Sequence, residues 1–149
     1  MSLQNWSQLT NHEATVAEVR NLLGVVDREL ADAGAAGLSD DGRFTHAYDA
    51  ALLLCKLALH ASGFEVQKRA PGHHALWINS LEFTLGAAHK GAMIHLSKSS
   101  KLRHIRLYDH AGVVQKQDAD DLLDAARQLR TDVLSWLHSQ HPTLVPSGY

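Results

Sequence analysis

Apolar residues recur at steps of three and four through nearly the whole chain, the spacing that places side chains on one face of an α-helix. The first such stripe predicts a helix that begins near Thr10 or Asn11 and ends between Gly34 and Gly37. The stripe consists of Val16, Val19, Leu23, Val26 and Leu30. Strand-like alternation of apolar and polar residues is absent, so we expect an all-α protein with no strands.

A second stripe predicts a helix that starts after Ser39 and stops near Gly63. Two acidic residues at its start, Asp40 and Asp41, favour the positive end of the helix dipole. The stripe consists of Phe44, Tyr48, Ala51, Cys55 and Leu59.

Three more helices are predicted further along the chain. Pro71 sets a boundary before a third helix over about 73–89, and the glycines and serines up to residue 100 predict a break. A short helix over about 100–110 follows, and a last long helix covers about 118–139. Four long helices and a short one predict an up-and-down four-helix bundle with an additional short helix.

Composition supports one globular domain. The chain has 149 residues, of which 45% are hydrophobic and 20% charged, and we expect a core over about 11–139 with a tail over 140–149. The single cysteine, Cys55, lies in an apolar run, which favours a core position and a reducing compartment. No signal segment and no apolar window of membrane-spanning length is visible, so we predict a cytoplasmic protein without a membrane partner.

Charge is distributed unevenly, although the net charge is only −2. Residues 83–108 contain no acidic residue but several basic ones, which predicts a surface that faces anions. Its candidate contacts to an anion or RNA are Lys90, Lys98, Lys101 and His104. The alternative is a solvated face that an acidic neighbour neutralises.

The eleven histidines raise the question of a metal site. The side chains of His73 and His74 point apart on a helix because the residues are adjacent, and no cysteine or carboxylate lies at ligand spacing from His138 and His141. Metal-binding helix motifs are absent as well. We therefore interpret the histidines as scattered surface residues and predict no metal and no cofactor. A phosphate-binding glycine loop and a serine nucleophile motif are also absent.

The short predicted helix carries the strongest candidate for chemistry. Arg103, Arg106 and His110 are separated by three and four residues, so a helix would place them on one side. Arginine matches phosphate oxygens and histidine exchanges protons near neutral pH. These residues suit metal-independent cleavage of an RNA phosphodiester by its own 2′-hydroxyl. The alternative is a solvated helix face whose arginine stems cover Leu102 and Ile105.

Three segments resemble the HEPN superfamily of small helical-bundle proteins, over about 42–138. They are Arg43-x-x-x-x-Tyr48-Asp49-Ala50-Ala51, the connector 69–74 and the run 102–106. The resemblance implies a helical bundle, and many members are metal-independent ribonucleases in which four to six intervening residues separate an arginine from a histidine. Arg103 and His110 have six intervening residues and fit this signature, whereas Arg106 and His110 have three and do not.

The resemblance also implies a homodimer, with RNA, a nucleotidyltransferase or an antitoxin as candidate partners. The apolar residues Leu52, Leu53, Leu54 and Leu57 widen the second stripe and favour the dimer. We predict a protein that binds RNA or a phosphorylated ligand, with metal-independent RNA cleavage as a candidate activity; the alternative is a noncatalytic dimerisation or partner-binding module. A third reading uses Trp77, Phe83 and Trp136 to bind an apolar ligand, but we assign these three to the core.

Overall fold

The computed structural model describes residues 2–108 and 113–149. Within this part of the chain there are five α-helices, which confirm the predicted all-α bundle with one additional helix. They are α1 (Val16–Ala33), α2 (Asp40–Ala61), α3 (His73–Thr84), α4 (Lys90–Tyr108) and α5 (Lys116–Gln140). No helix in the described ranges has both the length and the apolar character that a membrane crossing needs.

Helix α2 is the centre of the bundle and packs against α1, α3, α4 and α5. The five residues of its predicted stripe are all buried, and further residues around the helix are buried with them. Leu52, Leu54 and Leu57 are among these, and Leu53 is partly buried against the same core. Since one chain covers these leucines by itself, they give no support to a dimer.

Cys55 is fully buried in α2, as predicted. Burial raises the pKa of its thiol to about 12, so the thiolate required of a nucleophile does not form near neutral pH.

The first helix starts later than predicted, and a small sheet precedes it. Thr10 and Asn11 belong to β1 (Leu9–Asn11), which pairs antiparallel with β2 (Phe64–Val66). The actual cap of α1 is Thr15, whose hydroxyl accepts a hydrogen bond of 3.1 Å from the Glu18 amide. The expectation of no strands is therefore wrong for these two segments, because three residues are too few to show an alternating pattern.

The boundary between α3 and α4 also differs from the prediction. The chain breaks near Gly86, whose φ of 107° suits glycine, and α4 then continues without interruption through the serines at 97–100. The hydroxyl of Ser99 donates to the His95 carbonyl at 2.9 Å, so this serine satisfies its polar group within the helix. As far as Tyr108, the predicted short helix is the second half of α4, and its last two residues lie outside the described part of the chain.

Ion pairs join α5 to its neighbours. Arg130 donates to Asp27 of α1 at 2.6 Å, and Arg43 of α2 pairs with Asp120. The hydroxyl of Tyr149 also donates to Asp27 at 3.1 Å. The segment predicted as a tail thus lies against the bundle, where it continues the core.

Candidate anion-binding site

Arg103 lies on the side of α4 that faces α2. Its helix neighbours one and two turns earlier, Ser99 and Leu96, are buried, so the same side of α4 directs the arginine toward the bundle. The guanidinium carbon lies 5.3 Å from the centre of the Tyr48 ring, and Nη2 lies 3.9 Å from Asp49 Oδ1. Adjacent residues of α2 therefore hold the cation by a ring face and a carboxylate.

These contacts leave hydrogen-bonding capacity on Arg103. Its Nε is buried and has no hydrogen-bond partner among the described residues, and the contact with Asp49 is too long for a hydrogen bond. Arg130 is an informative contrast, since it also contacts an aspartate and a tyrosine ring, Asp27 and Tyr149, but its Nε donates at 2.6 Å. Because the Arg103 side chain is 26% exposed, N–H groups at the end of its guanidinium can donate to a bound anion.

His74 of α3 adds a titratable group to this site. Its ring stacks on Trp77, with centroids 5.7 Å apart, and lies 6.3 Å from the Tyr48 ring. Burial, together with the positive charge of Arg103, lowers the pKa of His74 below its ordinary value, and Asp49 opposes this effect. At neutral pH the imidazole is therefore uncharged and can accept a proton.

The same environment shifts the pKa values of Asp49 and Tyr48. Burial raises the pKa of Asp49, although the charge of Arg103 acts in the opposite direction. Burial likewise raises the pKa of the Tyr48 hydroxyl. The site therefore combines one permanent cation with groups whose protonation depends on their neighbours.

A surface groove of about 300 Å³ lies between α3 and α4, and its lining includes Ser100, three residues before Arg103 on α4. Its lining residues are Ala75, Ile78, Asn79, Ser97, Ser100 and Lys101. Hydroxyl, amide and ammonium groups are common donors to phosphate and sugar oxygens. The groove thus offers polar contacts next to the arginine.

The other candidate residues lie on a different side of α4 from Arg103. Lys90, Lys98, Lys101 and His104 are exposed on the outer side of α4, whereas Arg103 faces α2. Lys98 also shares a pocket of about 180 Å³ with Asp118 and Asp121 of α5, which fits the alternative of an acidic neighbour. Only Lys101 lies beside the groove between α3 and α4.

Two candidate catalytic residues stay untested. The backbone of Arg106 belongs to α4, but its side chain lies outside the described part of the chain, and so does the whole of His110. The expected convergence of Arg103, Arg106 and His110 therefore remains a prediction from the sequence.

The aromatic residues assigned to the core are less buried than expected. Phe83 is 40% exposed, so its core assignment is wrong, while Trp77 and Trp136 are only partly buried against the core. Phe83 and Trp136 line one side of an open pocket of about 440 Å³.

A second group of titratable side chains could hold a metal ion. His12, Glu18 and His60 each place a ligand atom within 4.8 Å of the others' ligand atoms. No pattern of nearby residues in the sequence indicates this group, because its members come from three separate segments.

Comparison of the chain with protein-family models, curated proteins and solved structures finds no match. The resemblance to the HEPN superfamily therefore stays a prediction, and the site has to be interpreted from its own geometry.

Proposed function

We propose that this protein binds RNA through its phosphate backbone at Arg103 and cleaves it without a metal ion. The observation that carries the proposal is the position of Arg103, which is held by Tyr48 and Asp49 with its guanidinium partly exposed, and whose charge acts on the uncharged His74. A guanidinium stabilises the charge that develops on phosphoryl oxygens, and a neutral imidazole acts as a general base.

RNA is favoured over a small phosphorylated ligand by the spacing of the cations. Arg103 faces α2, whereas Lys101 lies at the groove between α3 and α4. Groups on different sides of one helix suit successive phosphates of a chain better than one compact anion. Asn79 and Ser100 beside Lys101 then provide contacts to sugars or phosphates.

In the proposed reaction, His74 removes the proton from a ribose 2′-hydroxyl, whose oxygen attacks the adjacent phosphorus. The bond from phosphorus to the 5′-oxygen breaks, and that oxygen takes a proton from an acid. Arg103 donates to the non-bridging oxygens throughout. His110, the acid or base candidate from the sequence, lies outside the described residues. The products are a 2′,3′-cyclic phosphate and a 5′-hydroxyl.

The test is incubation with a mixed pool of structured and single-stranded RNA in EDTA. We expect cleavage that leaves 2′,3′-cyclic phosphate ends, and we expect His74→Ala to reduce the rate about 100-fold or more, the usual size of a general-base contribution. His141→Ala is the control, because His141 also packs its ring on a tryptophan, Trp136, at 4.8 Å. Absence of cleavage, or equal loss in both variants, would contradict the proposed catalysis.

The pKa of His74 gives an independent prediction. Arg103→Gln removes a positive neighbour and should raise the pKa of His74 toward its ordinary value of 6.5, whereas Asp49→Asn should lower it further. Since only the neutral ring accepts a proton, cleavage should decline as pH falls through the His74 pKa. NMR titration of the ring protons measures both shifts. Identical titration curves in the wild type and the two variants would show that these charges do not act on His74.

A noncatalytic partner-binding role is the second candidate, and it is favoured by two exposed isoleucines. Ile94 and Ile105 on α4 are 43% and 41% exposed, three helical turns apart on the side that carries Lys98 and Lys101. A dimeric mass in light scattering that falls to one chain in the double variant Ile94→Ser, Ile105→Ser would support this role. A mass of 16.3 kDa for the wild type would contradict self-association.

A further inference from the structure

Four titratable side chains lie close together where β1 and β2 adjoin the start of α1 and the end of α2. His12 follows β1, Glu18 lies in the first turn of α1, His60 lies in the last turn of α2, and Glu65 lies in β2. The Glu18 carboxylate lies between the two imidazoles, 2.7 Å from His12 Nε2 and 2.6 Å from His60 Nδ1. The centroids of the two imidazole rings are 4.4 Å apart.

The donor set is one that Zn²⁺ prefers. Two imidazole nitrogens and one carboxylate oxygen form the protein part of many zinc sites with an open fourth position. Bonds of about 2.0–2.2 Å place tetrahedral ligands about 3.3 Å apart. A Glu18 oxygen therefore needs to retreat by less than 1 Å from the imidazoles, and the two imidazole nitrogens, which lie within 4.8 Å of each other, need to come to the same separation of about 3.3 Å by side-chain rotation.

Glu65 adds the support that metal-binding histidines usually have. Its Oε2 lies 3.0 Å from His12 Nδ1, the ring nitrogen opposite the one that faces Glu18. When His12 Nδ1 donates to this carboxylate, Nε2 carries a free lone pair for a metal. The sheet register fixes the distance between these residues, since Thr10 pairs with Glu65 two residues before His12.

The ligands are held by rigid elements before any ion binds. His60 is 8% exposed and belongs to the central helix α2, and the hydroxyl of Thr15 caps the turn that contains Glu18. The His12 amide also donates to the Gly63 carbonyl at 2.9 Å, which ties His12 to the chain just after α2. A site that is already ordered loses little entropy when it binds an ion.

We propose that His12, Glu18 and His60 bind one Zn²⁺, with Glu65 orienting His12 and water in the fourth position. The ion would connect the residue after β1 to the start of α1 and to the end of α2. The site is separate from Arg103, because His60 lies eleven residues beyond Asp49 on α2, about 16 Å along the helix. The two imidazole donors also disfavour Mg²⁺, which prefers oxygen ligands.

The test is calorimetric titration of the full chain, without an affinity tag, after EDTA has been used and then removed. We expect one Zn²⁺ per chain and a higher midpoint of thermal unfolding with Zn²⁺, but no such rise with Mg²⁺. Glu18→Gln and His12→Gln should each weaken Zn²⁺ binding at least tenfold. His12 lies outside the helices, so its variant reports on the site even if Glu18→Gln reduces folding.

The matched control is Glu29→Gln, because Glu29 forms a similar pair with His46 at 2.7 Å. It should leave Zn²⁺ affinity and stoichiometry unchanged. Weak binding of several ions, no saturable binding, or one-to-one binding that both cluster variants leave intact would overturn the proposal. Equal stabilisation by Mg²⁺ would also overturn it.

Discussion

Replacement of Arg103 by alanine should reduce RNA cleavage about 100- to 1000-fold, the usual effect of removing one donor to a developing oxyanion. Among the described residues, Arg103 is the cation that contacts both Tyr48 and Asp49 and carries an unpaired buried Nε. Its loss removes the charge that neutralises the attacked phosphate. A cleavage assay in EDTA, with RNA in excess, measures the effect.

Arg130→Ala is the control for this variant. Arg130 also combines an aspartate and a tyrosine ring, but it joins α1 to α5 and uses its Nε–H in that contact. We expect it to leave cleavage unchanged and to affect stability only modestly, since partly exposed ion pairs contribute little. Full activity of Arg103→Ala, with Arg130→Ala behaving alike, would remove Arg103 from the reaction.

Leu54→Ala should lower the free energy of unfolding by about 2–5 kcal/mol, the range for deletion of a buried leucine side chain. Leu54 is fully buried in α2, the helix around which the others pack. The cavity left behind cannot collapse easily, because helices contact α2 from several sides. Chemical denaturation followed by circular dichroism gives the difference in stability.

Leu38→Ala provides a comparison with the same chemical change at an exposed position. Leu38 is 37% exposed and precedes α2, so its replacement should cost about 0.5 kcal/mol or less. Equal losses for the two variants would contradict the central position of α2. A loss below about 1 kcal/mol for Leu54→Ala would contradict it as well.

The long amphipathic helices were predictable because a buried stripe is a local property of the sequence. Val19, Leu23, Val26 and Leu30 are buried in α1, and α2 starts directly after Ser39 as expected. Serine is a weak guide to a break, since Ser99 donates to the carbonyl one turn earlier and remains helical. The predicted boundary between α3 and α4 was wrong for that reason.

The candidate site was only partly predictable. Arg103 stands out because no acidic residue lies nearby in the sequence, but its contacts with Tyr48 and Asp49 depend on how α4 packs against α2. No local pattern in the sequence relates His74 to Arg103. The group of His12, Glu18 and His60 likewise depends on tertiary contacts between distant segments.

The most direct measurement is an NMR titration that follows the Nε–H signals of Arg103 and Arg130 as RNA is added in EDTA. Our account predicts a saturable shift of the Arg103 signal, because the phosphate binds the partly exposed guanidinium of which Nε is a part, and a constant Arg130 signal, because Arg130 pairs with Asp27. RNA binding with an unchanged Arg103 signal would contradict the assignment of this site.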